Sequence, residues 1–219
     1  MKKLESSITN MVLVLVGVAL ITGGILAYVN HITEEPIKLQ ASKTLADGIK
    51  SVMGGVQLTV AEDDTIRQTI KGKEAIFVVH KTVDANKQDL GAAVESITSG
   101  FGGDLKVLVG FDTEGNILGY TILQHSETPG LGAKADKWFQ KDGKGNIIGM
   151  NPEKNNLTVK KDGGDVDAIT ASTITSRAFL LAVNQAYSAY KSGNVDAHSS
   201  ASGPVSYTHL RAHETVLDL

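Results

Sequence analysis

Hydrophobic positions fall along this chain in three regimes, and each predicts a different element. The first is continuous: from Met11 to Val29, nineteen residues reading MVLVLVGVALITGGILAYV pass without a charge. At about 1.5 Å per residue, such a helix nearly matches a hydrocarbon core of about 30 Å, so residues 11–29 are expected to cross a membrane once. Lys2 and Lys3 precede the run, whereas Glu34 and Glu35 follow it. That bias puts residues 1–10 in the cytoplasm and the remaining chain outside. A cleaved signal peptide is the rival, but the run is long for one and no small-x-small cleavage site follows it cleanly.

After the anchor, Pro36 is expected to break the chain, and a helix is expected over 37–53 with Leu45, Ile49, Val52 and Met53 as its apolar stripe. Gly54 and Gly55 would end it. Residues 30–72 therefore read as a connector and packing helix. The second regime is strand-like, over 75–83, 90–97, 105–111 and 117–123. Asp112-Thr113-Glu114-Gly115-Asn116 joins the last two as a hairpin, with a glycine able to take positive φ. The third regime has helical spacing: Ile174, Ala178, Leu181, Ala182, Ala186 and Ala189 recur every three or four residues, with Gly193 at the position of a C-terminal cap. Strands followed by a long helix predict an α+β domain over 73–193 with a mainly antiparallel sheet and packed helices.

Composition narrows the chemistry. The 219 residues carry 21 basic and 24 acidic side chains, without a basic stripe, so nucleic acid is not an expected partner. There is no cysteine, which removes disulfides, thiolate catalysis and cysteine-held metal clusters. Any redox role must use an imported cofactor. No Gly-rich dinucleotide fingerprint follows a strand, and no Gly-x-Ser-x-Gly hydrolase elbow is present.

Two segments carry candidate chemistry. In Asp167-Ala168-Ile169-Thr170-Ala171-Ser172-Thr173-Ile174-Thr175-Ser176, hydroxyl residues crowd the start of the last predicted helix, with Thr173 at or beside its N-cap. There the first backbone N–H groups lack intrahelical partners and the macrodipole is positive, which suits a phosphate. The same hydroxyls would equally serve as plain helix caps. Gln124-His125-Ser126-Glu127-Thr128-Pro129-Gly130-Leu131-Gly132 follows the hairpin as a compact loop whose backbone can approach a ligand closely. Taken alone, it would equally be an ordinary turn.

The anchor and these two segments, in this order, resemble the G subunit of the Rnf membrane complex, and the chain is similar also to the C subunit of sodium-pumping NADH:quinone reductase. Both families carry an FMN-binding domain behind one N-terminal membrane helix, and the resemblance covers about residues 1–192. The family's flavinylation signature is Asp, two variable residues, Ser or Thr, usually Gly, usually Ala, then the modified Thr. Asp167, Thr170 and Thr173 match it, whereas Ala171 stands for the usual Gly and Ser172 for the usual Ala.

The resemblance implies FMN joined through its phosphate to the Thr173 hydroxyl. Thr170, Ser172, Ile174 and Thr175 would surround the attachment, with Ser172 as the competing oxygen, and Glu127, Thr128, Gly130 and Leu131 would lie against the flavin. A separate flavin transferase using FAD and Mg²⁺ makes the bond in that family, with Asp167 serving recognition or metal binding during transfer. It further implies a bacterial inner-membrane subunit that relays electrons, one at a time, within a complex that exchanges them between ferredoxin and NAD⁺ and couples this to ion movement. Its partners would be the complex's other membrane and iron–sulfur subunits, and no resident metal is expected. A flavin-free, anchored binding domain is the alternative from another class, with the quinone reductase subunit as runner-up within the flavoproteins. After Gly193 the chain turns Ser- and Ala-rich, and residues 205–219, including His209 and His213, resemble a translated sequencing adapter. Residues 194–219 are expected to be a linker and a non-native or disordered tail, outside functional inference.

Overall fold

The computed structural model describes residues 8–55, 58–70 and 73–199. Its first element is a single helix, α1, over Ile8–Val52. The expected break at Pro36 does not occur: Pro36 lies inside the helix. A proline in mid-helix costs one backbone hydrogen bond and a clash, but its φ is already helical. The residues on either side keep the helical pattern, and an exposed i,i+4 pair between Glu34 and Lys38 at 2.6 Å spans the proline. The apolar part of α1 is long and hydrophobic enough to cross a membrane and is not buried against the rest of the protein.

Five strands then form one antiparallel meander in the order β1-β2-β3-β4-β5. They span Thr59–Ile70, Lys73–Val83, Asp89–Ser99, Asp104–Phe111 and Ile117–Gln124. The last four match the expected strands, whereas β1 lies in the stretch read as connector. The β4–β5 turn closes as foreseen: the Gly115 N–H donates to the Asp112 carbonyl at 3.0 Å, with Gly115 at φ 84°. A short helix α2, Ala135–Trp138, and a loop to residue 172 lead to α3, Thr173–Ser199. That helix runs through Gly193, the expected cap. A glycine lowers helix propensity by about 1 kcal/mol but does not by itself end a helix. Residues 200–219, with His209 and His213, lie outside the described residues, as do Lys2 and Lys3.

The period of two in the strands splits the sheet's side chains between two helices. On one face, Phe77, Val79, Val94, Val107, Val109 and Phe111 pack with Phe179, Val183, Ala186 and Tyr190 of α3. On the other, Ala93 and Leu108 pack with Ile49, Val52 and Met53 at the end of α1. Gly110 and Gly119, paired across β4 and β5, let the α1 backbone settle on the sheet: a Cβ at either would stand 2.6 or 2.9 Å from the Val52 carbonyl oxygen. One turn earlier, Gly48 faces Leu108 and Thr121. Earlier still, 37–45 borders a groove with Lys106, Leu123 and Gln124. The helix therefore arrives from the end of the sheet at which β4 starts and β5 stops.

Candidate functional site

That same end of the sheet carries two loops that, with the start of the last helix, build a cleft. Between β3 and β4, Gly100-Phe101-Gly102-Gly103 turns tightly, with the Gly100 N–H donating to the Gly103 carbonyl at 2.8 Å. After β5, Thr128-Pro129-Gly130-Leu131 closes through a Leu131 N–H to Thr128 carbonyl bond of 3.1 Å, with Gly130 at φ 76°. Proline second and a positive-φ glycine third is the arrangement a type II turn requires. The first turn of α3 forms the remaining wall.

The resulting cleft of about 410 Å³ is lined by Phe101, Glu127, Thr128, Leu131 and Gly132 on the loop side and by residues 171–175 on the helix side. Its apolar walls are open to solvent: Phe101 is 68% exposed, Ile174 52% and Leu131 41%. Burying them against a flat ring would remove that apolar area from water.

The hydroxyls crowded at the helix start are sorted by their partners. Ser176 is fully buried and clamps the loop to the helix: its oxygen accepts from the Ile169 N–H at 2.9 Å and donates to the Ser172 carbonyl at 3.0 Å. Thr175 is buried and donates to Glu127 Oε2 at 2.7 Å. Both are committed. Thr170 is exposed and off the cleft wall. Ser172 lines the cleft but is buried at 9% exposure, just before the helix begins. Thr173, the first helical residue, is half-buried, lines the cleft and makes no hydroxyl hydrogen bond to the described residues.

The turn that presents Thr173 is strained. Ser172 donates its N–H to the Ile169 carbonyl at 3.0 Å, and Ala171 takes φ 61°. This is a position that glycine ordinarily fills.

Of the loop residues singled out in the sequence, Glu127, Thr128 and Leu131 line the cleft, whereas Gly130 borders a neighbouring hollow of about 500 Å³ with Lys134, Lys137, Trp138 and Lys144. Asp167 stands outside the cleft. Its carboxylate pairs with Lys160 at 2.8 Å and its carbonyl accepts from the Trp138 indole at 2.8 Å. Sequence reasoning missed Phe101, whose signal was an aromatic residue enclosed by glycines between two strands. Among the described residues no group of acidic or histidine side chains is arranged to hold a metal ion.

Comparison with known proteins fits this geometry. An FMN-binding domain family matches residues 100–188, the span that contains both walls of the cleft. The G subunit of the ion-translocating oxidoreductase complex of Vibrio parahaemolyticus is 35% identical over 179 residues, covering 74% of this chain and 79% of its own. Its counterpart in Shewanella baltica is 36% identical over 177 residues, covering 77% and 82%. That of Aliivibrio fischeri is 42% identical over 111 residues, covering 48% and 52%.

The chain belongs to the family of G subunits of ion-translocating oxidoreductase complexes. It is accordingly an electron-transport protein with an FMN-binding domain, and one apolar N-terminal helix suits its place in a membrane complex. The cleft fits FMN on its own chemistry. Apolar walls would take the ring, and a free hydroxyl stands at the N-terminus of a long helix, where unpartnered N–H groups and the positive macrodipole favour a phosphate.

Proposed function

We propose that this chain is the flavin-bearing relay of an Rnf-type ferredoxin:NAD⁺ oxidoreductase complex, with FMN attached through its phosphate to Thr173. The observation that carries the reading is the division of labour among the hydroxyls. Thr175 and Ser176 are held by structural hydrogen bonds, Thr170 stands off the cleft, and Thr173 alone combines a free hydroxyl, partial exposure, cleft lining and the first helical position. Attached FMN supplies one-electron redox chemistry. The chain's own residues do the rest: residues 173–175 offer backbone N–H groups to the phosphate, while Phe101, Leu131 and Ile174 hold the ring and exclude water.

No histidine or carboxylate hydrogen-bonds the Thr173 hydroxyl among the described residues, so none of them is placed as a base to activate it. This supports maturation by a separate flavin transferase, with Asp167 as a recognition or metal-binding residue on the adjoining surface.

We read residues 11–29 as the span of a bacterial inner-membrane protein, with residues 1–10 cytoplasmic and the FMN-binding domain outside. Ile37, the first residue of α1 to border the sheet-side groove, lies only about 12 Å along the helix from Val29 at 1.5 Å per residue. The cleft opens at that same sheet end, so the flavin would face the membrane subunits with which it exchanges electrons. Outside the cytoplasm a phosphoester keeps the cofactor irrespective of binding affinity.

The test is expression with and without a flavin transferase, followed by denaturing electrophoresis and flavin fluorescence of the band. Fluorescence is expected only with the transferase, retained in Ser172→Ala and absent in Thr173→Val. Fluorescence that survives Thr173→Val and disappears in Ser172→Ala would move the bond to Ser172. A colourless wild type in the presence of the transferase would support a flavin-free binding domain instead.

A further inference from the structure

Glu127 is 6% exposed, yet it lines the cleft. Its Oε1 accepts from the Phe101 N–H at 2.7 Å and from the Gly102 N–H at 3.2 Å, and its Oε2 accepts from the Thr175 hydroxyl at 2.7 Å. All three partners are donors, the pattern an ionised carboxylate satisfies. No ion pair to Glu127 occurs among the described residues, so these neutral donors alone stabilise the group.

Two glycines make the space for it. A Cβ on Gly100 would stand 2.1 Å from Oε1, and one on Gly132 would stand 2.4 Å from Oε2. Neither glycine has positive φ. Their lack of a side chain therefore serves close approach to this carboxylate rather than a special backbone conformation. The second glycine of the Glu127–Gly132 loop thus seats the side chain of the same loop's first residue.

We propose that Glu127 is the positioning residue of the cleft and the fixed negative charge that lowers the reduction potential of its flavin. The inference rests on the flavin reading above. The carboxylate ties the β3–β4 turn, and with it Phe101, to the first turn of α3, so the two walls that would flank the ring are held by one buried group. Moving such a group without its donors would strand a buried charge, which is strongly unfavourable. An electron added nearby meets that charge with little water between them, where Coulomb interactions are stronger than in bulk solvent.

The experiment uses the full chain in detergent, co-expressed with a flavin transferase, with covalent flavin occupancy measured before potentials. A wild type without covalent flavin overturns the parent reading. With flavin in place, Glu127→Gln keeps the side chain's shape and removes its charge. It is expected to retain the flavin and to raise the one-electron potential by a tenfold change in equilibrium constant, about 60 mV. Thr175→Val cuts one strut and keeps the charge, and its potential is expected to change less than twofold in the same constant. Equal potentials for wild type and Glu127→Gln overturn the proposal. If Glu127→Gln does not accumulate folded, Gly132→Ala displaces the carboxylate from the other side, and an unmoved potential there overturns it as well.

Discussion

Ala171 sits at φ 61°, in the left-handed region that glycine ordinarily fills. A Cβ in the left-handed region costs roughly 1–2 kcal/mol, whereas glycine's extra unfolded-state entropy costs about 0.5–1 kcal/mol, so the glycine should win by a small margin. Ala171→Gly is expected to stabilise the protein by about 0.5–1 kcal/mol, a rise of roughly 1–4 °C in Tm for a chain of this size. Thermal unfolding of the purified chain measures it. A lower Tm would mean that the turn is held by something other than the Ser172 to Ile169 hydrogen bond. The hydroxyl run itself was legible in the sequence, but its hierarchy was not. Nothing in the order of residues 170–176 says that Ser176 reaches back to Ile169, or that Thr175 is claimed by Glu127 from 48 positions away. Such assignments depend on loops that meet only in the folded state.

Elements were readable where their pattern was periodic and hidden where tertiary partners supply what the local sequence lacks. Strand β1 carries Glu62, Asp63 and Asp64 in succession, residues that strands ordinarily avoid. It forms at the sheet's edge because Lys81 on β2 reaches both Glu62 and Asp64, at 3.3 and 2.8 Å, while His80 takes Asp63. Pro36 misleads for a complementary reason, since the apolar span and the docked end of α1 are each helical and the helix continues through a residue that only weakens it locally. The docking of α1 makes an element-scale prediction. Gly110→Ala would place a methyl 2.6 Å from the Val52 carbonyl oxygen, overpacking that costs about 1–3 kcal/mol. The backbone there must shift, and limited proteolysis is expected to cleave faster near Gly54 and Gly55 than in the wild type. Flavin attachment should persist, because the cleft lies at the other end of β4. Unchanged proteolysis would show that the α1 end is not held by this contact.

Across the whole molecule, a row of alternating charge crosses four strands on the α1 side of the sheet. Asp63 meets His80 Nδ1 at 2.6 Å, His80 Nε2 meets Glu95 at 3.0 Å, and Glu95 also pairs with Lys106. His80 and Glu95 are 4% and 7% exposed, so their protonation states are tied to folding. Burial alone would push the imidazole down, but hydrogen bonds to Glu95 and Asp63 outweigh it and hold His80 above its ordinary 6.5. Burial alone would raise Glu95, but hydrogen bonds from His80 and Lys106 outweigh that and hold it below its ordinary 4.5. The histidine's contribution is therefore complete below pH 6.5 and is lost as pH rises through its raised folded value. The carboxylate's contribution is complete above pH 4.5 and is lost as pH falls through its depressed folded value. Between those limits both are fully present, and denaturant unfolding should give a stability plateau between pH 4.5 and 6.5 that falls on either side. His80→Gln is expected to lose the decline on the alkaline side and to be destabilised most within the plateau, by about 1.5–3 kcal/mol, because Glu95 loses a charged hydrogen-bond partner but keeps Lys106. A variant whose stability still falls between pH 6.5 and 8, in parallel with the wild type, would assign that dependence to another group.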